Sequence, residues 1–315
     1  NRKEKKFDLY LDVKMKEEIT VGFGGNVSSH QANQLYLGLG YQYLGRFAAD
    51  VNSNFQVGNS FSGVMLSGRM YLQTQIPTYL NWQGVFSDKK YTESQSLFYE
   101  DIVPAMIKQK ELYMKLKLGF PFLNHAKAEI GFAYGRLNDF YLQSTTIPFP
   151  NASFDHSWYD LFSGSLSIEQ NSLNAKQYPI SGKQQFLIAQ YVTGTEKYTP
   201  SPTSATTEAP IGRKVHSWLQ LKGRWNQYQT LSNRFNLGYL AEMVISSKNL
   251  MNNYTASVLQ APAFTPTPHS EIVFNEAFRA NQYVAFGLSP ILKLSKLLHF
   301  RLDMYGFAPE VQKLA

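Results

Sequence analysis

The chain has 315 residues, no cysteine and a formal net charge of +7 at pH 7. The lack of cysteine excludes a disulfide framework and thiolate-based metal or redox chemistry. Hydrophobic residues make up 43% of the sequence although the mean hydropathy is −0.30, so apolar and polar residues must be interleaved. No run approaches the ~18 apolar residues of a transmembrane helix. Basic residues do not cluster with aromatic ones, which argues against nucleic acid as a partner.

From Ile19 onward, apolar and polar residues alternate with a period of two. Between 111 and 120 the even positions are Leu, Met and Phe, whereas the odd positions are Glu, Tyr, Lys and Gly. The same alternation occurs in 47–57 and 298–305. A helix would repeat its apolar residues at a spacing of three to four, so these segments are predicted to be β-strands with one apolar face.

Thirteen strands are predicted along the chain, and several reach ten residues or more. A tilted strand needs about that length to cross the hydrocarbon core, whereas strands of soluble proteins have about five or six residues. Backbone groups in lipid must all be paired, so the strands must close on one another. The chain is therefore predicted to be all-β, a transmembrane antiparallel β-barrel in a bacterial outer membrane, and not a soluble β-sandwich. The predicted spans are 19–27, 33–44, 46–57, 60–74, 78–88, 109–120, 125–137, 157–170, 182–195, 213–228, 233–246, 281–293 and 297–308.

The connections between these strands alternate in length, with long ones at 88–108, 138–156, 196–212 and 247–280. Outer-membrane barrels have tight periplasmic turns and long outer loops, so the long connections are predicted to face the cell exterior. Aromatic residues, 15% of the chain, suit the girdles at the two membrane interfaces. Because bacterial single-chain barrels have an even number of strands, the thirteen are expected to be part of a sixteen-stranded barrel whose last strands are missing here.

Two consecutive segments carry a resemblance to a known superfamily. Residues 7–14 (FDLYLDVK) look like the last strand of a periplasmic POTRA domain, and 19–29 (ITVGFGGNVSS) follow at once. This order resembles the POTRA-to-barrel junction of outer-membrane assembly factors and two-partner-secretion transporters, the bacterial surface antigen superfamily. The resemblance implies that 1–16 is the end of a POTRA-like domain and 17–315 an outer-membrane β-barrel.

Within that superfamily the chain looks most similar to the C-terminal barrel of bacterial patatin-like phospholipases. The similar segments are 43–47 (YLGRF), 278–283 (FRANQY) and 298–307 (LHFRLDMYGF). In that family an N-terminal patatin domain hydrolyses lipid esters with a Ser–Asp dyad. This sequence has no Gly-x-Ser-x-Gly elbow, and the nearest string, 58–63 (GNSFSG), has the wrong spacing. No catalytic residue is therefore assigned, and the chain itself is not expected to be an enzyme.

The resemblance leads to two functional hypotheses. In the first, the barrel anchors the patatin-like lipase domain of its parent protein and could also export it. In the alternative, it is a free-standing outer-membrane transport or assembly barrel, a channel or an insertion factor. The expected partners are outer-membrane lipids, lipopolysaccharide and the parent's own N-terminal domains, and the sequence is compatible with a homodimer.

The resemblance also singles out the loop at 247–280. In the superfamily, the long sixth outer loop folds into the lumen and carries an Arg-Gly-aromatic tip that pairs with an acidic residue on an inward strand face. Arg279 is the only arginine of this loop, and Ala and Asn follow it instead of Gly and an aromatic residue. Arg279 is thus the candidate for that arginine, with Glu242 or Asp303 as its acidic partner.

Several other charged residues are predicted to face the lumen, and they are Lys115, Lys117, Lys127, Glu129, Lys222, Arg224 and Arg301. They could form a mildly cationic selective pore or a network of mutually paired charges, and pairing is favoured because a narrow lumen must satisfy its charges internally. The six histidines are isolated, so no metal or other cofactor is predicted. His156 and Ser157 are sequence neighbours on a strand, which places them on opposite faces and prevents them from acting as a pair.

Overall fold

The computed structural model describes residues 17–27, 33–93, 105–123, 125–142, 153–202, 211–267, 270, 274–295 and 298–311. The predicted POTRA-like segment, 1–16, lies outside these residues, so the domain boundary stays a prediction. Within the described residues, fourteen strands form one antiparallel sheet. The longest helix, α1 (Tyr254–Leu259), has six residues, and no described helix is long and apolar enough to cross a membrane.

The first thirteen strands pair in the order in which they occur in the sequence, which agrees with the predicted antiparallel β-barrel. Their bounds are β1 (Ile19–Asn26), β2 (Gln34–Leu44), β3 (Ala48–Gly58), β4 (Phe61–Leu72), β5 (Thr78–Glu93), β6 (Ala105–Phe122), β7 (Ala126–Tyr141), β8 (Asp155–Asn171), β9 (Gly182–Thr199), β10 (Ile211–Thr230), β11 (Phe235–Ser246), β12 (Tyr283–Lys293), β13 (His299–Arg301) and β14 (Met304–Pro309).

The thirteenth predicted strand, 297–308, is divided into β13 and β14, which both pair with β12. The division falls opposite Pro290 of β12. Proline has no backbone N–H to donate, so the regular ladder is interrupted there. The Leu302 N–H still donates to the Pro290 carbonyl at 3.1 Å, which keeps the two halves in line. The thirteen predicted strand positions are therefore all present.

Strands β5 to β10 are taller than the sequence predicts. They have 16–20 residues, whereas β1 to β4, β11 and β12 have 8–12. At about 3.3 Å per residue, roughly ten residues span the hydrocarbon core, so these six strands continue well beyond it. The predicted spans 125–137 and 182–195 were too short because β7 continues to Tyr141 and β9 to Thr199. This part of the sheet, β5–β10, is called the tall wall below.

One face of the sheet is an exposed apolar belt. Phe132, Phe162 and Leu116 lie in the middle of their strands and are 66%, 58% and 46% exposed. Large contiguous apolar patches are rare on soluble monomers, and here they match the lipid-facing band of a membrane barrel. The other face carries the buried residues of the sheet. Within the described residues, β1 pairs only with β2 and β14 only with β12, so the sheet is not closed and the sixteen-strand expectation stays a prediction.

The alternation of faces predicts different costs for adjacent substitutions in β6. Leu116, between Trp82 and Phe132 in the ladder, faces lipid, whereas Lys115 faces the lumen. We expect Leu116→Arg to lower the free energy of unfolding by ~2–4 kcal/mol, because it places a charge in the hydrocarbon. Lys115→Arg should be nearly silent. Urea unfolding of the barrel in lipid vesicles measures both, and equal costs would contradict the facing of β6.

Candidate functional site: a loop folded into the lumen

The connection between β11 and β12, residues 247–280, folds back against the inner face of the tall wall. Its helix α1 begins at Asn253, whose side-chain oxygen accepts a hydrogen bond from the Ala256 N–H at 2.8 Å. An asparagine at this position satisfies one of the free N–H groups at a helix start. Apolar residues of the loop then pack into one cluster with residues of β7 to β10. The cluster consists of Met251, Ala256, Leu259, Tyr141, Tyr159, Val192 and Trp218.

A second cluster anchors the loop on the adjoining part of the sheet. Phe264 is 2% exposed and packs with Leu240, Val244, Tyr283 and Ala285 of β11 and β12. Its ring also stacks on that of Phe307 in β14, with centroids 5.9 Å apart. The loop therefore contacts both the tall wall and the last strands of the sheet. It covers the inner face of the sheet from β7 to β14.

The middle of the loop is hydrogen-bonded to its end. Ala263 and Arg279 form an isolated antiparallel bridge, and the Phe264 N–H donates to the Phe278 carbonyl at 2.9 Å. The Ala280 N–H donates to the Pro262 carbonyl at 3.2 Å. These bonds join 262–264 to 278–280 and so close the second half of the loop just before β12 begins.

Buried polar groups hold the first half of the loop to the tall wall. Glu196 of β9 is fully buried and lies 2.7 Å from the His216 ring nitrogen Nε2. It also accepts hydrogen bonds from the Tyr159 hydroxyl at 3.3 Å and from the Asn252 backbone N–H at 3.2 Å. One carboxylate thus joins three strands, β8, β9 and β10, to the loop, which satisfies the rule that buried polar groups must be hydrogen-bonded.

A second carboxylate, Asp139 of β7, is fully buried beside α1. It accepts hydrogen bonds from the Gln260 amide at 2.7 Å and from the Gln109 amide at 3.1 Å. Nearby, the Asn253 amide donates to the Tyr141 hydroxyl at 2.7 Å. The helix is therefore held at both ends by polar groups of the tall wall.

Lys248, two residues after β11, is buried within this arrangement. Its ammonium nitrogen Nζ lies 2.5 Å from the Gln260 carbonyl oxygen and 4.8 Å from the centre of the Trp218 ring. Burial lowers the pKa of Lys248 to about 7, and the charges of Glu196 and Asp139 only partly offset this effect. The position of the loop is thus coupled to the protonation of one lysine.

Arg279 lies inside the loop and does not meet either of its predicted partners. Its guanidinium donates to the carbonyls of Leu259 at 3.1 Å and Ala261 at 3.3 Å, and it lies 4.7 Å from the centre of the Phe274 ring. The structure therefore brings Arg279 together with its own loop and with neither Glu242 nor Asp303. The physical reason is that other cations already surround those two carboxylates.

Glu242 is 2% exposed and forms ion pairs with two of the predicted lumen cations. Lys222 and Arg224 approach it at 3.0 and 3.3 Å, and the Tyr283 hydroxyl donates to it at 2.5 Å. Arg224 is the direct cross-strand neighbour of Glu242 in the ladder between β10 and β11. The strand register thus places a cation beside Glu242 without any contribution from the loop.

The remaining predicted lumen charges form two further groups. Glu129 accepts from Lys117 at 2.5 Å and from the Tyr79 hydroxyl at 2.7 Å, and Lys127 lies 3.6 Å away. Lys115 is half-buried beside Lys117 and Glu129. This group places three of the predicted cations around one carboxylate.

Asp303 is the acidic centre of the third group. It accepts from Arg301 at 2.8 and 3.0 Å and also from the Ser289 hydroxyl. Arg301 additionally donates to the Tyr228 hydroxyl and the Pro179 carbonyl, both at 2.9 Å. All the charges singled out in the sequence, apart from Arg279, thus fall into these three groups.

Sequence reasoning missed the tyrosines and the carboxylates that hold the loop. Tyr79, Tyr228 and Tyr283 occupy inward strand positions, and the inward alternation alone could have marked them as partners for lumen charges. Asp139 and Glu196 lie in the parts of β7 and β9 that the predicted spans left out. No pattern in the sequence connects them to 247–280.

The His156 and Ser157 pair is separated as predicted from strand geometry. The His156 ring faces outward and stacks on Phe140 with centroids 4.3 Å apart. Ser157 faces inward, fully buried, with its hydroxyl 2.9 Å from that of Tyr141. In the part of the chain that the structure describes, no group of three or more His, Asp or Glu side chains is arranged to hold a metal ion.

The group around Glu242 generates a stability prediction. We expect Glu242→Gln to destabilise the barrel by about 3–5 kcal/mol, because it leaves Lys222 and Arg224 without their carboxylate. The control is Glu169→Gln, since Glu169 is a 31% exposed residue that pairs with Lys127 at 2.9 Å. Its loss should cost less than about 1 kcal/mol. Urea unfolding in vesicles compares the two, and similar values would show that Glu242 is not an electrostatic centre.

Lys248 generates a prediction about pH. The depressed pKa means that the released loop binds a proton that the docked loop lacks between about pH 7 and pH 10.5. Docking should therefore strengthen as the pH rises through this window. Hydrogen exchange of 248–260 measures this, with Lys248→Met compared at each pH to cancel the intrinsic pH dependence of exchange. If the wild type and the variant show the same pH profile, Lys248 is not the titrating group.

Comparisons with known proteins establish the fold. No protein-family model matches the chain, and no curated protein sequence matches it. Among solved structures, it is similar to the crystal structure of BamA from Haemophilus ducreyi lacking POTRA domains 1–3, with a TM-score of 0.61 and 13% sequence identity. The match covers 93% of this chain and 57% of that chain, so this chain spans a little over half of its length. The likeness shows the fold of this chain, which is a transmembrane β-barrel of the outer-membrane type.

Proposed function

We propose that the chain is the membrane barrel of an outer-membrane transport or assembly protein, with 247–280 as a plug in its lumen. The observation that carries this proposal is the loop, which contacts both the tall wall and the last strands. The structural likeness to a BamA barrel supports the same assignment. The long-loop end of the sheet is then the outer end, and the short turns face the periplasm.

The plug is held by contacts spread over many strands. Asn252 donates to Glu196 of β9, Gln260 to Asp139 of β7, and Phe264 packs against β11, β12 and β14. A surface loop would lack such buried anchors, because connecting segments usually run over the outside of a protein. A lumen filled in this way suits a barrel that opens during a transport or insertion cycle better than a permanently open pore.

The charges of the lumen support the same view. Lys117, Lys222 and Arg301 each lie within 3.0 Å of a carboxylate. A cation whose charge is already paired attracts a passing anion only weakly. The paired arrangement therefore supports a structural role for these charges over that of a cationic selectivity filter.

The anchoring of a patatin-like lipase domain stays a prediction from the sequence segments 43–47, 278–283 and 298–307. The comparisons favour the transport or assembly alternative, and they give no support to the lipase. Both hypotheses agree that this chain itself carries no catalytic group, and the fold of a membrane barrel is consistent with this.

Depletion of the native protein in its own bacterium separates the two hypotheses. For a transport or assembly barrel, we expect a set of other outer-membrane or secreted proteins to fall in abundance when membrane fractions are quantified by mass spectrometry. If the membrane proteome is unchanged while lipid-ester hydrolysis at the cell surface disappears, the lipase anchor replaces our proposal.

The plug itself generates a conductance prediction. Replacing 250–278 with a short Gly-Ser linker should raise the single-channel conductance of the barrel in planar bilayers, because it removes the material between the tall wall and β12. The matched control deletes 203–208 from the connection between β9 and β10, and it should leave the conductance unchanged. A variant without 250–278 that conducts like the wild type would mean that the loop does not obstruct the lumen.

A further inference from the structure

The outward face of the tall wall changes from apolar to basic side chains at one level, towards the long-loop end of the sheet. Below this level it is apolar, and above it basic residues lie on five of the six strands from β5 to β10, with β8 as the exception. We call these residues the outer basic patch, and they are Lys90, Lys108, Lys110, Arg136, Lys197 and Arg213. Two acidic residues, Asp88 and Asp160, lie among them. Positive charge is therefore in clear excess on this part of the described surface.

The strand register places the patch directly against the apolar belt. Arg136 is the cross-strand neighbour of Leu112 and of Asp160, and one step towards the membrane centre Tyr134 pairs with Met114 and Phe162. The cost of a charge on the lipid face falls to about 0–1 kcal/mol near the interface. The patch therefore marks the outer boundary of the hydrocarbon.

The patch is confined to the tall wall. At the same end of β1 to β4 and of β11 to β14, the outward positions that the structure describes contain no Lys or Arg. A basic band required only for general contact with the membrane would run around the whole sheet. Its restriction to five strands within β5 to β10 indicates a local site.

Ion pairs within the patch neutralise only part of its positive charge. Arg136 binds Asp160 at 2.8 Å, and Lys110 lies 3.9 Å from Asp88. Arg213 and Lys197 are exposed and line a cleft together with Trp158, Asp160 and Thr195. Two cations thus face a cleft that holds a single carboxylate, and that carboxylate already binds Arg136.

Aromatic rings support the long basic side chains at this height. The Arg136 guanidinium lies 5.2 Å from the centre of the Trp158 ring, and the Lys108 ammonium lies 5.1 Å from that of Phe154. Such stacking holds a cation in place while leaving its donors free for another group. It also matches the aromatic girdle expected at a membrane interface.

An apolar groove on the outward face continues the patch into the belt. It is lined by Leu66, Trp82, Met114, Phe132 and Phe162. Its floor is open at Gly84, where a Cβ atom would have no neighbour within 4 Å. A groove of this kind can take an acyl chain, and its upper end lies next to the row of Leu112 and Arg136.

From this arrangement we infer that the outer basic patch binds the phosphate groups of lipopolysaccharide, with an acyl chain in the groove below. Arginine and lysine are the residues that recognise phosphate, and basic pockets on membrane proteins bind anionic headgroups. A soluble anion would not use the apolar groove, and an uncharged lipid would not use the patch. The inference rests on the proposed function in one respect, namely that the long-loop end of the sheet is the outer end. It does not depend on the plug.

The test uses the native protein purified in detergent and fluorescent lipopolysaccharide as the probe. We expect the double variant Lys197→Gln with Arg213→Gln to weaken binding roughly tenfold or more, since each basic residue near a membrane surface contributes measurably to attraction of anionic lipid. This variant leaves the Arg136–Asp160 pair intact, so the wall should fold normally. Gly84→Leu, which fills the groove, should weaken binding separately.

The control variant Lys176→Gln with Arg234→Gln removes the same charge from exposed positions at the turn end of the sheet. It should bind lipopolysaccharide like the wild type. Equal losses in the two double variants, or equal binding of lipid A with and without its phosphates, would overturn the inference. A failure of the transport or assembly proposal would instead appear as an unchanged outer-membrane proteome, with lipopolysaccharide binding unaffected.

Discussion

Water is absent from the hydrocarbon core of a membrane, so each backbone N–H and C=O of a spanning segment must find a partner within the protein. In this chain the antiparallel ladder from β1 to β14 supplies those partners. Strands β1 to β13 each lie next to their sequence neighbours, and β14 pairs with β12. The ladder forces side chains to alternate between lipid and lumen. Polar chemistry is thereby restricted to the inner face, the loops and the rims, which is where the distinctive features of the molecule lie.

On the inner face, the same alternation brings charged residues into a confined space. Each of the carboxylates Glu129, Glu242 and Asp303 meets at least one cation at 3.0 Å or less. Tyrosines on inward strand positions complete two of these groups: Tyr79 of β5 donates to Glu129 of β7, and Tyr283 of β12 donates to Glu242 of β11. Because residues of the strands themselves provide these partners, the groups form with the sheet itself. The loop arginine, Arg279, is left to stabilise the loop.

The tall wall connects the inner and outer features. Extending β5 to β10 beyond the membrane gives the loop a surface to pack on, with Tyr141 and Glu196 facing inward. The neighbouring outward positions of the same extension carry Lys197 and other basic residues. One structural feature, six strands longer than the membrane requires, thus holds the plug on one side and the outer basic patch on the other.

The positions of the strands, the facing of residues such as Leu116 and Lys115, and the place of the long loop could all be predicted from the sequence. A period of two along an extended chain maps directly onto two faces, and lipid on one of them makes the contrast strong. The sequence did not determine how far β7 and β9 extend, because beyond the membrane both faces are polar or aromatic and the alternation fades. Nor could it pair Glu242 with Arg224 or bring Asn252 to Glu196. Those partners depend on the register between strands and on the path of the loop through the lumen, and only the tertiary structure decides both.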